Sequence, residues 1–293
     1  MANLSKAEWL ALEKKALELR KLCVQTTVWA GSGHFGGGMS VMDLLTVLYH
    51  KYLNIKVDEP QWDDRDRFIL SKGHAAIAYA PVLCDKGFNP VEMLKSFNLS
   101  GSKMGMHLDS NKVVGVDAST GSLGHGPSIA AGTALAARLQ NKDFLTYVVT
   151  GDGELGEGSC WEGFMTINHY NLSNCIVFID RNHNMIDGNT EDVMKLEPLA
   201  DKMTAFGFNT IVVDGNNIGE LCDAIDVAIE RAKTPQAPTC ILMDTKKGAG
   251  IKSIEGDYTW HYGAIDDALF EKFNNELDAD YAARVARAEK EGK

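Results

Sequence analysis

Asp152 stands between two glycines in Gly151-Asp152-Gly153-Glu154, and Asn182 follows 30 positions later in Asp180-Arg181-Asn182-His183-Asn184. A carboxylate and an amide oxygen are hard donors, and magnesium wants hard oxygens in octahedral geometry, usually a few from protein and the rest from phosphate and water. With one backbone carbonyl added, such a set leaves room for about two phosphate oxygens and a water. The glycines flanking Asp152 let the chain approach a diphosphate closely, because no Cβ intervenes. These residues point to a metal-assisted phosphate site.

A second group of side chains could carry protons. Ser32-Gly33-His34 precedes Gly36-Gly37-Gly38, and Leu70-Ser71-Lys72-Gly73-His74-Ala75 closes a strand-like run. Met106-His107 is followed by Thr120-Gly121-Ser122-Leu123-Gly124. Imidazole exchanges protons near neutral pH and also donates hydrogen bonds. Glycine-rich surroundings and strand-end positions set His34, His74 and His107 apart from His50, His169 and His183, which read as ordinary loop or core residues. Gly31-Ser32-Gly33-His34-Phe35-Gly36 fits GxGxxG, but a dinucleotide fingerprint follows a strand, and here a long helical pattern comes first.

Those residues need elements to position them. Ser5-Lys6-Ala7-Glu8 has the form of a capping box, and Trp9, Leu12, Ala16, Leu19 and Cys23 recur at helical spacing after it. This first helix should end before Gly31, with a glycine-rich loop to Gly38 and a second helix over 39–52. Short apolar runs at 68–70, 144–150, 175–179, 210–213 and 239–243 then alternate with helical stretches. That alternation predicts a parallel sheet covered on both faces, an α/β three-layer sandwich. Ligands bind beyond the carboxyl ends of such strands, and adjacent strands at 144–150 and 175–179 would bring Asp152 and Asn182 to one sheet edge. The expected organisation is one domain over 1–263 followed by a helical tail over 264–293.

Composition narrows the partners. The 293 residues are 45% hydrophobic and 24% charged, with 40 acidic against 29 basic residues and a net charge of −11. Such a balance argues against nucleic acid or an anionic membrane surface as the main partner. No apolar run approaches the roughly 18 residues of a membrane span, and the amino terminus lacks the apolar core of a signal peptide. The six cysteines, at 23, 84, 160, 175, 222 and 240, include no CxxC pair. They read as reduced thiols of a soluble, cytoplasmic protein.

Gly151-Asp152-Gly153 with Asn182 resembles the thiamine diphosphate fingerprint. The same fingerprint occurs in oxo-acid dehydrogenases and decarboxylases, but the histidine motifs and Gly153-Glu154-Leu155-Gly156-Glu157-Gly158, in this order, resemble transketolase. The likeness spans residues 32 to 188 and extends to Trp260-His261. It implies the diphosphate-binding domain of the thiamine diphosphate-binding fold. It further implies magnesium, or another divalent cation such as calcium or manganese, held by Asp152, Asn182 and the backbone carbonyl of Asn184. By the same resemblance, His34 and His107 would contact the sugar, His74 the substrate or diphosphate, and His261 the diphosphate and leaving oxygen. Gly121, Ser122 and Leu123 would hold the aminopyrimidine side, with Gly151, Gly153 and Glu154 at the diphosphate. Arg181 stands where many members carry a second Asn, His125 where many carry Gln, and Tyr262 intervenes where the family commonly reads His-Gly.

The resemblance also implies a missing half. In transketolases a pyrimidine-binding domain supplies the activating Glu from a neighbouring subunit, and the chain ends at Lys293 without room for it. The expected partner is a separate carboxyl-terminal transketolase subunit, in a heterotetramer of two chains of each kind. The expected reaction moves a two-carbon ketol unit from a ketose phosphate to an aldose phosphate. Glu157 would lie at the interface, and the alanine-rich helix after Leu123 would pack there. Alternative readings are a deoxyxylulose phosphate synthase-like or oxo-acid dehydrogenase-like subunit, or a cofactor-binding module without catalysis.

Overall fold

The computed structural model describes residues 4–292. Five strands form one sheet: β1 Arg67–Leu70, β2 Thr146–Gly151, β3 Cys175–Arg181, β4 Asn209–Asp214 and β5 Thr239–Asp244. Their order is β1-β2-β3-β5-β4, and every neighbouring pair is parallel. Along β2 and β3 every residue is buried, which explains why both read as continuous apolar runs rather than alternating ones. The side chains divide by pleat. Tyr147, Val149, Ile176, Phe178, Ile241 and Met243 join a core beneath the amino- and carboxyl-terminal helices. Val148, Val177, Ile179, Cys240 and Leu242 join a second core beneath helices Gly126–Leu139 and Gly158–His169. The result is the three-layer sandwich that the alternation predicts.

The first helix, Lys6–Ala30, opens with the capping box, since Ser5 and Glu8 bond reciprocally. It closes at Gly31 in a left-handed conformation. Trp9, Leu12, Ala16, Leu19 and Cys23 all lie on its buried side. The following segment differs from the expected loop. Phe35–Ser40 is already helical, Met42–Val47 continues it, and a wide turn over Leu48–Tyr52 ends it. Close packing, not flexibility, accounts for the glycines: a Cβ on Gly36 would lie 2.6 Å from the Trp260 carbonyl oxygen, and one on Gly38 3.0 Å from Ile77.

The carboxyl-terminal helix, Asp267–Glu291, lies along the first helix and is anchored from within. Phe273 stacks on Phe35, with ring centroids 5.9 Å apart. Arg284 reaches fully buried Asp43 at 3.0 and 3.2 Å, and Arg20 grips the same carboxylate at 2.9 and 2.7 Å. Burial alone would raise the Asp43 carboxyl, but the two guanidiniums hold it well below the ordinary carboxylate range. All six cysteines are buried free thiols. Among the described residues, no helix is long and apolar enough to cross a membrane.

Candidate active site

The register of β2 on β3 sets the geometry. Gly151, the last residue of β2, pairs with Asp180 in β3. Asp152 therefore leaves the sheet beside Asn182, and both side chains line a cavity of about 280 Å³ at the carboxyl ends of the strands. A larger groove of about 490 Å³ lies beyond β4 and β5 among already paired carboxylates and guanidiniums. The smaller cavity is the one that collects His34, His74, His107 and His261 with the Gly151–Asn182 turns, and chemistry is assigned there.

Asp152 is almost completely buried. One oxygen accepts the Gly153 N–H at 2.8 Å; the other accepts the His183 N–H at 2.7 Å and an Arg181 N–H at 3.1 Å. Burial and nearby Asp180 push its carboxyl up from the ordinary range, against the pull of Arg181. A divalent cation at this oxygen would restore the ionised form. The Asn182 amide is oriented by its neighbours: its N–H₂ donates to Asp180 at 3.2 Å, while its oxygen accepts from the Asn184 N–H at 3.2 Å. Asn184 lines the same cavity, and its side-chain oxygen is buried without a hydrogen-bond partner. Such an oxygen is costly unless something else satisfies it, and hard oxygens around one carboxylate suit magnesium. The residues present fit a cation carrying phosphate.

The histidines converge from four separate segments. The His34 ring lies 5.1 Å from His74, 5.2 Å from His261 and 6.4 Å from His107, and His74 lies 5.3 Å from His261. A two-way backbone bridge between Gly33 and Gly263, at 2.9 and 3.0 Å, draws the first and last of these segments together. Gly121 is required beside His107: at φ 143° its absent Cβ would sit 2.4 Å from that ring. Burial, with His107 and Lys247 nearby, lowers His34 to about 4. Burial and Lys247 lower His261 to about 4 as well, and His74 is pushed down by burial and Lys72. All are neutral at physiological pH, so each ring offers one donor and one acceptor.

This neutrality predicts a pH effect. A histidine at about 4 in the fold and 6.5 when unfolded favours the native state fully above pH 6.5. That contribution is lost as pH falls towards 4. Thermal midpoints should therefore decline across that window, and His34→Asn or His261→Asn should flatten the decline. Parallel profiles for wild type and variants would contradict the shifts.

Two lysines in the cavity are not among the expected site residues. Lys72 pairs with fully buried Asp180 and donates to the Gly37 carbonyl at 2.6 Å. Lys247 donates to the Met185 carbonyl at 3.0 Å and reaches His261 Nδ1 at 3.3 Å, with burial lowering it to about 8. A lysine donor at Nδ1 leaves the His261 proton on Nε2. Lys72 sits within a motif that stands out for its histidine, and Lys247 follows β5, where the strand-end rule points. Met185 and Ile186 form a further wall.

Other expected residues take different positions. Gly121, Leu123, Gly151 and Gly153 line the cavity; Ser122 is exposed beside it and outside its wall. Glu154 lines it too, but its carboxylate is engaged by Ser71 and by the Gly124 and Gly151 N–H groups at 2.9 and 3.0 Å. His125 and Glu157 are exposed at the starts of their helices, and Glu157 makes no side-chain cap. Tyr262 packs its ring 4.9 Å from His34 and bonds Ser32 at 2.7 Å, placing a phenol at the rim. The His183 ring points away to Asp244 at 2.6 Å, so only its backbone serves Asp152.

The family described as transketolase, thiamine diphosphate binding domain, matches residues 12–287. The chain is 37% identical over 282 residues to a 6-deoxy-6-sulfo-D-fructose transketolase subunit of Clostridium sp. strain MSTE9, spanning 96% of this chain and 97% of that protein. It is also 37% identical over 280 residues to an apulose-4-phosphate transketolase subunit from Phocaeicola vulgatus, with the same coverage. The solved transketolase of Campylobacter jejuni superposes with a TM-score of 0.84 at 28% identity, over 94% of this chain and 45% of that one. The chain thus spans less than half the length of that transketolase.

Proposed function

Because this chain belongs to the transketolase family through its thiamine diphosphate-binding domain, we propose that it is the amino-terminal subunit of a two-part transketolase. It moves a two-carbon ketol unit from a ketose phosphate to an aldose phosphate. The observation that carries this reading is the meeting of Asp152 and Asn182 with four histidines in one cavity. Similarity over nearly the whole length of two proteins named as transketolase subunits supports the two-part arrangement.

Asp152, Asn182 and the Asn184 carbonyl would hold magnesium, with Lys72 and Lys247 adding positive charge beside the diphosphate. Bound thiamine diphosphate supplies the nucleophilic carbon and the electron sink. The chain's own residues bind and move protons. His34 and His107 hydrogen-bond the sugar's hydroxyl and carbonyl oxygens; His74, between His34 and His261, faces substrate and diphosphate. His261 keeps a proton on Nε2 for the leaving oxygen, because Lys247 occupies its other nitrogen.

The partner is a separate chain carrying the pyrimidine-binding domain and the activating Glu, assembled two with two. Ile129 and Leu139 on one helix, and Met165 on the next with Tyr170 at its end, are exposed. Apolar exposure on neighbouring helices fits a surface that a partner covers. Product analysis tests the reaction. The assembled enzyme, given a ketose phosphate and an aldose phosphate, should yield the two products of two-carbon exchange. Carbon dioxide release from a 2-oxo acid, without that exchange, would assign it instead to a decarboxylating relative.

A further inference from the structure

Arg181 occupies a position that no role above requires, yet it is among the most heavily bonded side chains in the molecule. It is 3% exposed, at the carboxyl end of β3. One arm donates to Asp152 Oδ2 at 3.1 Å and to Thr190. The rest of the guanidinium reaches Glu197 at 3.1 Å through Nε and Glu191 at 3.1 Å through Nη2. Planar guanidinium donors fix a carboxylate in angle as well as distance, which a flexible ammonium does not.

We propose that Arg181 is a positioning residue for the metal-side carboxylate, holding Asp152 in one orientation from a brace built on Glu191 and Glu197. The inference rests on Asp152 being a magnesium ligand. A carboxylate offers about four acceptor positions. On Asp152 the Gly153, His183 and Arg181 donors fill three, which leaves one direction for a cation. Without Arg181 each Asp152 oxygen keeps a single backbone donor, so the carboxylate loses its one charged, planar hold. Outer partners of metal ligands typically contribute about 10- to 100-fold in metal affinity. Glu191 and Glu197, being partly exposed, offset the Arg181 charge, so the brace orients Asp152 without a lone cation competing with the metal.

The test is a magnesium titration of thiamine diphosphate binding, by calorimetry, on the full chain together with its partner chain. Arg181→Met should raise the half-saturating magnesium concentration about 10- to 100-fold, while cofactor affinity at saturating magnesium stays roughly unchanged. A loss of fold alone would not separate those two readouts. Arg181→Lys, with charge but no fork, should recover only part of the loss. Glu197→Gln, at a partly exposed position, should shift the requirement the same way by less, and it carries the test if Arg181→Met does not fold. An unchanged or lower magnesium requirement in Arg181→Met, or an unchanged one in Glu197→Gln where that variant carries the test, overturns the inference. If the wild-type complex binds cofactor without any magnesium dependence, the metal assignment itself falls, and this inference with it.

Discussion

Replacing Asp152 with alanine should abolish magnesium-dependent retention of thiamine diphosphate, with affinity falling on the order of 100-fold or more. The magnitude follows from its place in the site. Loss of an outer partner alone typically weakens a metal site about 10- to 100-fold, and Asp152 is the one carboxylate among the three expected ligands, with Asn182 and Asn184. The substitution also strips the Gly153 and His183 N–H groups and one arm of Arg181 of their shared acceptor. Buried donors left without acceptors add their own cost. Asp152→Asn keeps the volume and one oxygen and should lie between the two. Gel filtration with magnesium, then with chelator, reads the outcome; equal retention by wild type and Asp152→Ala would overturn the assignment.

The second large effect lies away from the cavity. Asp43→Ala should destabilise the chain by about 3–5 kcal/mol, because it leaves Arg20 and Arg284 buried without their shared carboxylate. The thermal midpoint should fall by roughly 10 °C for a chain of this size. Arg284 lies on the carboxyl-terminal helix, so that helix should lose amide protection first. Replacing Arg20, Asp43 and Arg284 together by apolar residues of similar volume, with Glu13→Gln because Arg284 also pairs with buried Glu13, should cost far less, since no buried charge is then stranded. A midpoint within experimental error of wild type for Asp43→Ala would show that water reaches the cluster.

Strand positions and the approach of Asp152 to Asn182 are legible in the sequence because parallel strands buried on both faces must read as apolar runs, and their carboxyl ends must meet at one edge. His34, His74 and His107 are legible from their glycine-rich surroundings and His261 only through the family resemblance, while the convergence of the four is not legible at all. It depends on the Gly33–Gly263 bridge across 230 positions, a non-local contact with no periodic signature. Gly36 and Gly38 mislead for a physical reason. Glycine serves a close approach as readily as a turn, and only the neighbouring Trp260 and Ile77 tell which. Lys72 is legible only as part of a histidine motif and Lys247 not at all, because buried lysines are rare. Only the structure shows their ammonium groups turned towards Asp180, Gly37, Met185 and His261. Arg181 looks like a neutral departure from a family pattern until its bonds to Asp152, Glu191 and Glu197 are visible.

The proposed division of labour gives this chain the diphosphate half of a transketolase site and a second chain the rest. It is tested most directly by assaying ketol transfer, with magnesium and thiamine diphosphate, for the chain alone and for the chain mixed with the carboxyl-terminal transketolase subunit of its source organism. No turnover is expected from the chain alone, and turnover with the partner should saturate near equimolar amounts; full turnover by the chain alone would overturn the two-part assignment.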